Sequence, residues 1–369
     1  MYKSKIKSLI INNKSGIYGL GLAAEDYSDD KVRYLRISDI NDDGSLNNSD
    51  LKSITSPDVE NYILEENDLV VARTGNSTGR VYVHSSNNGI MAYAGFLIKY
   101  VFNEELINPR YMKYFCISDY YKQQLKGYSG STRGNMNAND FKEIQVFYPK
   151  RSQQDSLVKF LDIIDNKINI NNRINDNLQQ LVESKYDYFF MQSSNNNFDE
   201  KYRKMKCKDL LEVKTGKQDA NFGTNNGKYK FFTCSKDTLK CDTPAFSGHS
   251  ILIAGNGDFN VKHYSGEFNA YQRTYVLIPS DELYYGTLYM ASLKLVNKFK
   301  KASAGSIVKF IGKSDVENIE VIVPKDKSLL LQLNDYLFAI EKHQEEIEEL
   351  ENLRDFLLPM LMNGQISIA

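Results

Sequence analysis

The chain repeats itself at an interval of about half its length, and a two-fold internal repeat excludes most single-domain folds. At an offset of 175, Gly130 matches Gly305, Ser131 Ser306, Asp140 Asp315, Ile144 Ile319, Val146 Val321, Pro149 Pro324 and Lys150 Lys325. One inserted residue moves the offset to 176, and Leu157 then matches Leu333, Phe160 Tyr336, Leu161 Leu337, Ile164 Ile340 and Leu181 Leu357. A fainter match precedes these: Leu69–Ala72 resembles Ile251–Ala254, each followed by a polar loop containing glycine. With 369 residues the chain has room for two or three domains, so each copy of the repeat can be a folded unit.

Each copy reads locally as a strand (144–148; 319–323) that ends at proline, where the ladder loses a donor. A long helix follows. Apolar residues recur at Leu157, Phe160, Ile164, Ile174, Leu178 and Leu181 in the first helix. In the second they recur at Leu333, Tyr336, Ile340, Ile347, Leu350, Leu357 and Leu361. Both series fit a heptad seam, broken by Lys167 and Asn171 in one and His343 and Arg354 in the other. A seam that narrow suits pairing with another helix, and the two are natural partners for each other; the alternative is two amphipathic helices, each lying on its own domain. Polar breaks at such positions set register at some cost in stability. The expected division is a first globular domain over 1–150, a helical region over 151–192, a second globular domain over 193–325 and a helical region over 326–369.

A net charge of −1 hides segregation. Residues 200–240 hold 11 Lys/Arg against 5 Asp/Glu, and 294–313 hold 6 Lys/Arg and no acid, whereas 314–369 hold 4 basic and 12 acidic residues. Basic stretches inside globular segments suit phosphates, and acidic ones face protein or water. No apolar run approaches the roughly 20 residues of a membrane span, and the N-terminus lacks a signal-peptide core. The four cysteines (116, 207, 234, 241) are too sparse for a secreted disulfide framework. Cys207, Cys234, Cys241 and His249 lack the close spacing with which one turn grips zinc. A cytoplasmic protein without membrane or metal is expected.

Several stretches resemble the DNA-specificity subunit of Type I restriction-modification systems: Gly130-Ser-Thr-Arg-Gly-Asn-Met-Asn137, then strand, Pro149, Gln153-Gln154 and the helix from Leu157. The C-terminal run Leu353-Arg-Asp-Phe-Leu-Leu-Pro-Met-Leu-Met-Asn-Gly-Gln365 is similar too, as are Tyr34–Ile40 and Asp68–Gly75. The second copy departs from the pattern, with no Gln pair after Pro324 and a Gly305-Ser306 loop that continues as Ile-Val-Lys-Phe310. The resemblance implies an α+β fold of two target-recognition domains alternating with two helices that pair as an antiparallel coiled coil. It further implies a non-catalytic subunit that binds double-stranded DNA at a bipartite target, two adenine-methyltransferase subunits and, later, nuclease (restriction) subunits. S-adenosylmethionine, ATP and Mg²⁺ would sit on those partners and none on this chain. The competing reading is a coiled-coil adaptor with two domains for other ligands.

Candidate DNA contacts follow from donor-rich loops. Arg73, Thr74, Asn76, Ser77, Thr78 and Arg80 lie on a glycine-hinged turn, although glycine and Asn also favour an ordinary hairpin. Ser131, Thr132, Arg133 and Asn135 form a second set, in which Arg suits guanine or phosphate and Asn suits adenine. In the second half Asn256, Asp258, Asn260 and Lys262 occupy the loop matching the first set. Lys300, Lys301, Ser303, Ser306 and Lys309 form the most basic patch, better suited to phosphates than to bases. For the spacer and partner docking the candidates are Leu157, Ile164, Leu178, Leu181, Leu333, Ile340, Ile347, Leu350 and Leu357.

Enzymatic motifs fail on inspection. Asn108-Pro-Arg-Tyr111 has Arg where an adenine methyltransferase needs a second proline, and Pro109 reads as a helix start. Gly312-Lys-Ser314 lacks the glycine that a phosphate-binding loop needs at 307, which is Ile. Glu183-Ser-Lys185 lies on the amphipathic helix with no second carboxylate placed to share a metal.

Overall fold

Proline after a short strand, then an uninterrupted heptad pattern, produces the same module twice. In the computed structural model, which describes residues 1–128, 135–192, 198–303, 310–366 and 368, the strand Gln145–Tyr148 leads through Pro149 into a helix Arg151–Gln192. The strand Glu320–Pro324 leads in the same way into a helix Lys327–Met362. Each strand pairs antiparallel with the segment that opens its half, Tyr2–Lys5 in one and Tyr202–Lys206 in the other. No helix of the described residues is long and apolar enough to cross a membrane.

Two compact units result, one of residues 1–166 with 350–369 and one of 167–349. This division departs from the linear one expected above, because each long helix gives part of its length to each unit. The first unit has two four-stranded sheets. One runs Ile17–Tyr18, Leu97–Tyr100, Leu69–Ala72, Val81–Val83, all antiparallel. The other runs Glu25–Asp26, Lys52–Ile54, Val32–Leu35, Met91–Tyr93, with the last pair parallel. The second unit has one six-stranded sheet: Lys214–Thr215, Thr274–Leu277, Phe246–Ala254, Val261–Ala270, Tyr229–Phe232, Leu239–Cys241. Pro109 does open a helix (Pro109–Ile117), with the Asn108 side chain accepting from the Arg110 amide at 2.9 Å.

The two long helices run antiparallel, since contact partners rise along one as they fall along the other. In the second unit Asn171 Nδ2 donates to Glu346 (2.8 Å), Asn175 meets His343 Nδ1 (2.9 Å) and Lys185 donates to Gln332 (3.0 Å). In the first unit Arg354 meets Asp165 at 3.1 Å. Three of the four polar breaks in the seam, Asn171, His343 and Arg354, therefore bond across it, and Lys167 pairs with Glu346 from the rim.

The first helix corrects the expected seam. Leu181, placed on it by the heptad count, is 42% exposed, while Val182 is buried; Ile174 is exposed too, and Leu161 and Ile168 are buried. Leu161, Ile168 and Val182 still stand at seven-residue spacing, so the heptad holds and its second row lies one residue later, from the first turn on, than a count through Phe160, Ile174 and Leu181 places it. Leu157 and Ile164 are buried and Leu178 half-buried as expected. In the second helix Leu333 and Ile347 are buried, with Ile340, Leu350 and Leu357 half-buried.

Arg354 is the most committed of the polar breaks. Buried, it meets Asp165 and also Asp43 (3.4 Å), while Asp165 takes Lys113 Nζ at 2.7 Å and the Tyr114 hydroxyl at 2.8 Å. Burial alone would raise the Asp165 pKa, but Lys113 and Arg354 outweigh it and hold the carboxyl below its ordinary range. Removing one partner of such a cluster costs about 3–5 kcal/mol because the other charges stay buried. Arg354→Ala is expected to lower the unfolding free energy by about that amount in a denaturant titration. Asp165 stabilises fully above its unfolded pKa of about 4 and loses that contribution as pH falls below it, so the gap between wild type and Asp165→Asn should shrink in acid.

Candidate nucleic-acid interface

The first loop is set by the buried strand Leu69–Ala72, which emerges into a turn closed by two backbone bonds, Ala72 N–H to Arg80 O and Gly79 N–H to Ala72 O, both 2.8 Å. Gly75 and Gly79 take left-handed φ values of 71° and 87°, and a Cβ at Gly79 would also strike Leu125 at 2.3 Å. Asn76 is exposed at the tip; Thr78 donates back to Gly75 O at 2.8 Å. Arg80 pairs with the exposed Asp42 (2.6 Å), with Ile40 O and Ser77 Oγ beside it. Its guanidinium therefore shapes the turn.

Arg73 stands differently. Its guanidinium lies 5.1 Å over the Tyr18 ring, with no acidic partner among the described residues. Its N–H donates to Phe96 O (3.0 Å) and its carbonyl accepts from Met136 N–H (2.9 Å). Thr74 Oγ1 donates to Asn135 Oδ1 at 2.6 Å. The structure thus joins the two sets of the first half, far apart in sequence, at one edge. Ser131, Thr132 and Arg133 lie outside the described residues. Asn137 is spent as the cap of helix Ala138–Glu143, accepting from the Asn139 and Asp140 amides. Sequence reasoning passed over Tyr18 and Phe96, which are 40% and 57% exposed beside Arg73.

In the second half the strand Phe246–Ala254 opens into a turn closed by Ala254 N–H to Asn260 O at 2.9 Å. Asn256 is half-buried and Asp258 exposed, around Gly257 at φ 71°. Asn260 Nδ2 donates to Cys234 O (2.9 Å) and Lys262 Nζ to Ser235 O (2.7 Å), so both hold the turn against the neighbouring segment. Lys300 and Lys301 are exposed near the C-terminal end of helix Tyr285–Ser303, where cations suit the helix dipole. The turn reaches that helix through Phe259 on Phe299, ring centroids 6.2 Å apart. Ser303 is the helix's last residue, and Ser306 and Lys309 lie outside the described residues. Arg273 and Phe310, both exposed, went unnoticed in the sequence. Among the described residues no three His, Cys, Asp or Glu side chains gather as a metal site.

Two loops of donors, one per half, each at the end of a buried strand, is the arrangement against which known proteins can be compared. The pattern of the Type I restriction modification DNA specificity domain matches this sequence twice, over residues 11–180 and 199–352. The chain belongs to that family. It is 36% identical over 170 residues to the specificity subunit of the Type I restriction enzyme EcoDI of Escherichia coli. That stretch is 43% of this chain and 37% of that subunit, so the likeness spans well under half of the relative's length. The fold is similar to that of the S subunit of a Type I restriction-modification system from M. genitalium, with a TM-score of 0.63 at 16% identity over 98% of this chain and 95% of that one. Both specificity-domain copies therefore carry the strand-and-loop edge described above.

Lys262 carries a measurable signature of its packing. Burial lowers its pKa to about 8, against about 10.4 in an unfolded chain. Between those values the unfolded state binds more protons, so wild-type stability gains from rising pH there. Lys262→Met, which removes the half-buried cation, is expected to compare best with wild type at pH 7 and to lose that advantage by pH 10, as read by thermal unfolding at the two pH values.

Proposed function

We propose that this chain is the DNA-specificity subunit of a Type I restriction-modification complex, reading a bipartite double-stranded target with one half-site per unit. The observation that carries this reading is the repeated edge: each half ends a buried strand in a turn and brings separate polar segments to it. Arg, Asn and Thr are residues that pair with base edges, while the exposed lysines of the second half suit phosphates. Because the two copies share a plan but not their side chains, the two half-sites differ in sequence.

The paired helices serve as the spacer. A helix rises about 1.5 Å per residue and B-DNA about 3.4 Å per base pair, so helix length converts into a number of unread base pairs. On this reading the chain does no chemistry itself and acts in the cytoplasm. It positions two adenine-methyltransferase subunits, which dock along the helical regions, and the nuclease subunits join that assembly. S-adenosylmethionine, ATP and Mg²⁺ belong to those partners.

Deleting the gene should abolish one bipartite adenine-methylated motif from the methylome of the source cell, read by single-molecule sequencing. An unchanged methylome, with the methyltransferase subunit expressed and active, would sink the proposal. The purified complex should also bind duplex DNA with an affinity that falls steeply as salt rises, about 0.9 log units per tenfold salt for each phosphate neutralised.

A further inference from the structure

The two halves repeat more than strand order. The bonds around Arg73 recur around Gly255, whose N–H donates to Arg273 O (2.9 Å) and whose carbonyl accepts from Ile311 N–H (2.8 Å). The bonds one step out recur as well: Gly19 N–H to Leu97 O and Gly216 N–H to Thr274 O, both 3.1 Å, and Leu97 N–H to Ala94 O and Thr274 N–H to Tyr271 O, both 2.8 Å. Residue 73 thus corresponds to 255, 96 to 273 and 135 to 310, the last at the offset of the sequence repeat.

At these three positions one half carries Arg73, Phe96 and Asn135, and the other Gly255, Arg273 and Phe310. Each node therefore has one arginine and one phenylalanine, at different places: Arg273 stands where the first half has Phe96, and Phe310 where it has Asn135. Phe96 is 57% and Phe310 67% exposed, and neither joins a hydrophobic core. Arg73 and Arg273 have no acidic partner among the described residues. Arginine cannot sit at the centre of the second node, because a Cβ on Gly255 would meet Arg273 O at 2.6 Å. The cation stands instead in the turn that leads into the flanking strand Thr274–Leu277.

We propose that this node, where three chain segments meet at the strand ends, is the base-reading head of each unit and that Phe96, Arg273 and Phe310, with Arg73, determine specificity. The arginines take the O6 and N7 acceptors of a guanine in the major groove. The phenyl rings take the C5-methyl of a thymine, the one apolar group on a major-groove base edge. This rests on the DNA-recognition reading above and adds to it a guanine and a thymine in each half-site.

The test uses the complex co-expressed with its methyltransferase subunit, once the methylome has given the wild-type motif. Phe96→Ala and Arg73→Ala should each relax one position, both in the same half-site, while Arg273→Ala and Phe310→Ala relax positions in the other. On synthetic duplexes, replacing the assigned thymine by deoxyuridine should weaken wild-type binding several-fold and leave the Phe96→Ala complex no weaker than on thymine. Variants that keep the full motif stringent, while gene deletion abolishes it, overturn the node and spare the specificity reading. If a variant loses methylation altogether, the wild-type complex decides: equal affinity for deoxyuridine at every thymine of the motif overturns the proposal.

Discussion

The division of each long helix between the two units is the constraint on which both depend. Leu358, Leu361 and Met362 are buried in the same core as Phe102, Ile107, Phe115 and Val146. Without them the segment 1–166 leaves that core open. The second unit borrows in the same way, taking Val182, Tyr186 and Phe189 from the first helix beside Leu330, Leu333 and Leu337 from the second. Truncating one buried leucine costs about 2–5 kcal/mol, a large part of the 5–15 kcal/mol by which a domain is stable. Neither helix is therefore an appendage, and their register follows from the cores they complete.

Polar residues in the seam refine that register at a cost. Asn171 is 1% exposed and donates to Glu346, yet its Oδ1 has no partner among the described residues. An unsatisfied buried acceptor costs about 1–3 kcal/mol, which an apolar residue would avoid. What the asparagine adds is a hydrogen bond across the seam, to Glu346, of the polar kind that sets register in paired helices. Arg354 acts likewise, since only one register brings it to Asp165 and Asp43 together.

The repeat made the strand–proline–helix modules and the helix pair legible, since a period in the sequence reports a period in space. What it hid follows from how the signals arise. The opening strand Tyr2–Lys5 is lysine-rich and lacks a clean apolar alternation, so only its pairing with Gln145–Tyr148 declares it. The shift from Leu181 to Val182 was hidden because Leu161, Ile168 and Val182 make a seven-residue apolar row as regular as Phe160, Ile174 and Leu181 do, and packing alone chooses between the two rows. The Thr74–Asn135 bond is a non-local fact, whereas Arg80 reads as a free donor until Asp42 is placed beside it.

Phe96 and Arg273 were invisible for a deeper reason: what repeats around them is backbone hydrogen bonding, not side chains. Backbone donors and acceptors are the same for every residue but proline, so bonds such as Arg73 N–H to Phe96 O persist when the side chains change. A node built in this way separates stability from surface chemistry, because exposed positions contribute little to the core beneath them. The separation is incomplete at the centre, where Gly255 leaves no room for a Cβ but Arg73 has one. The two nodes must then differ locally in how closely their middle strands approach. That difference, more than any preference for a particular base, decides where on the node the arginine can stand.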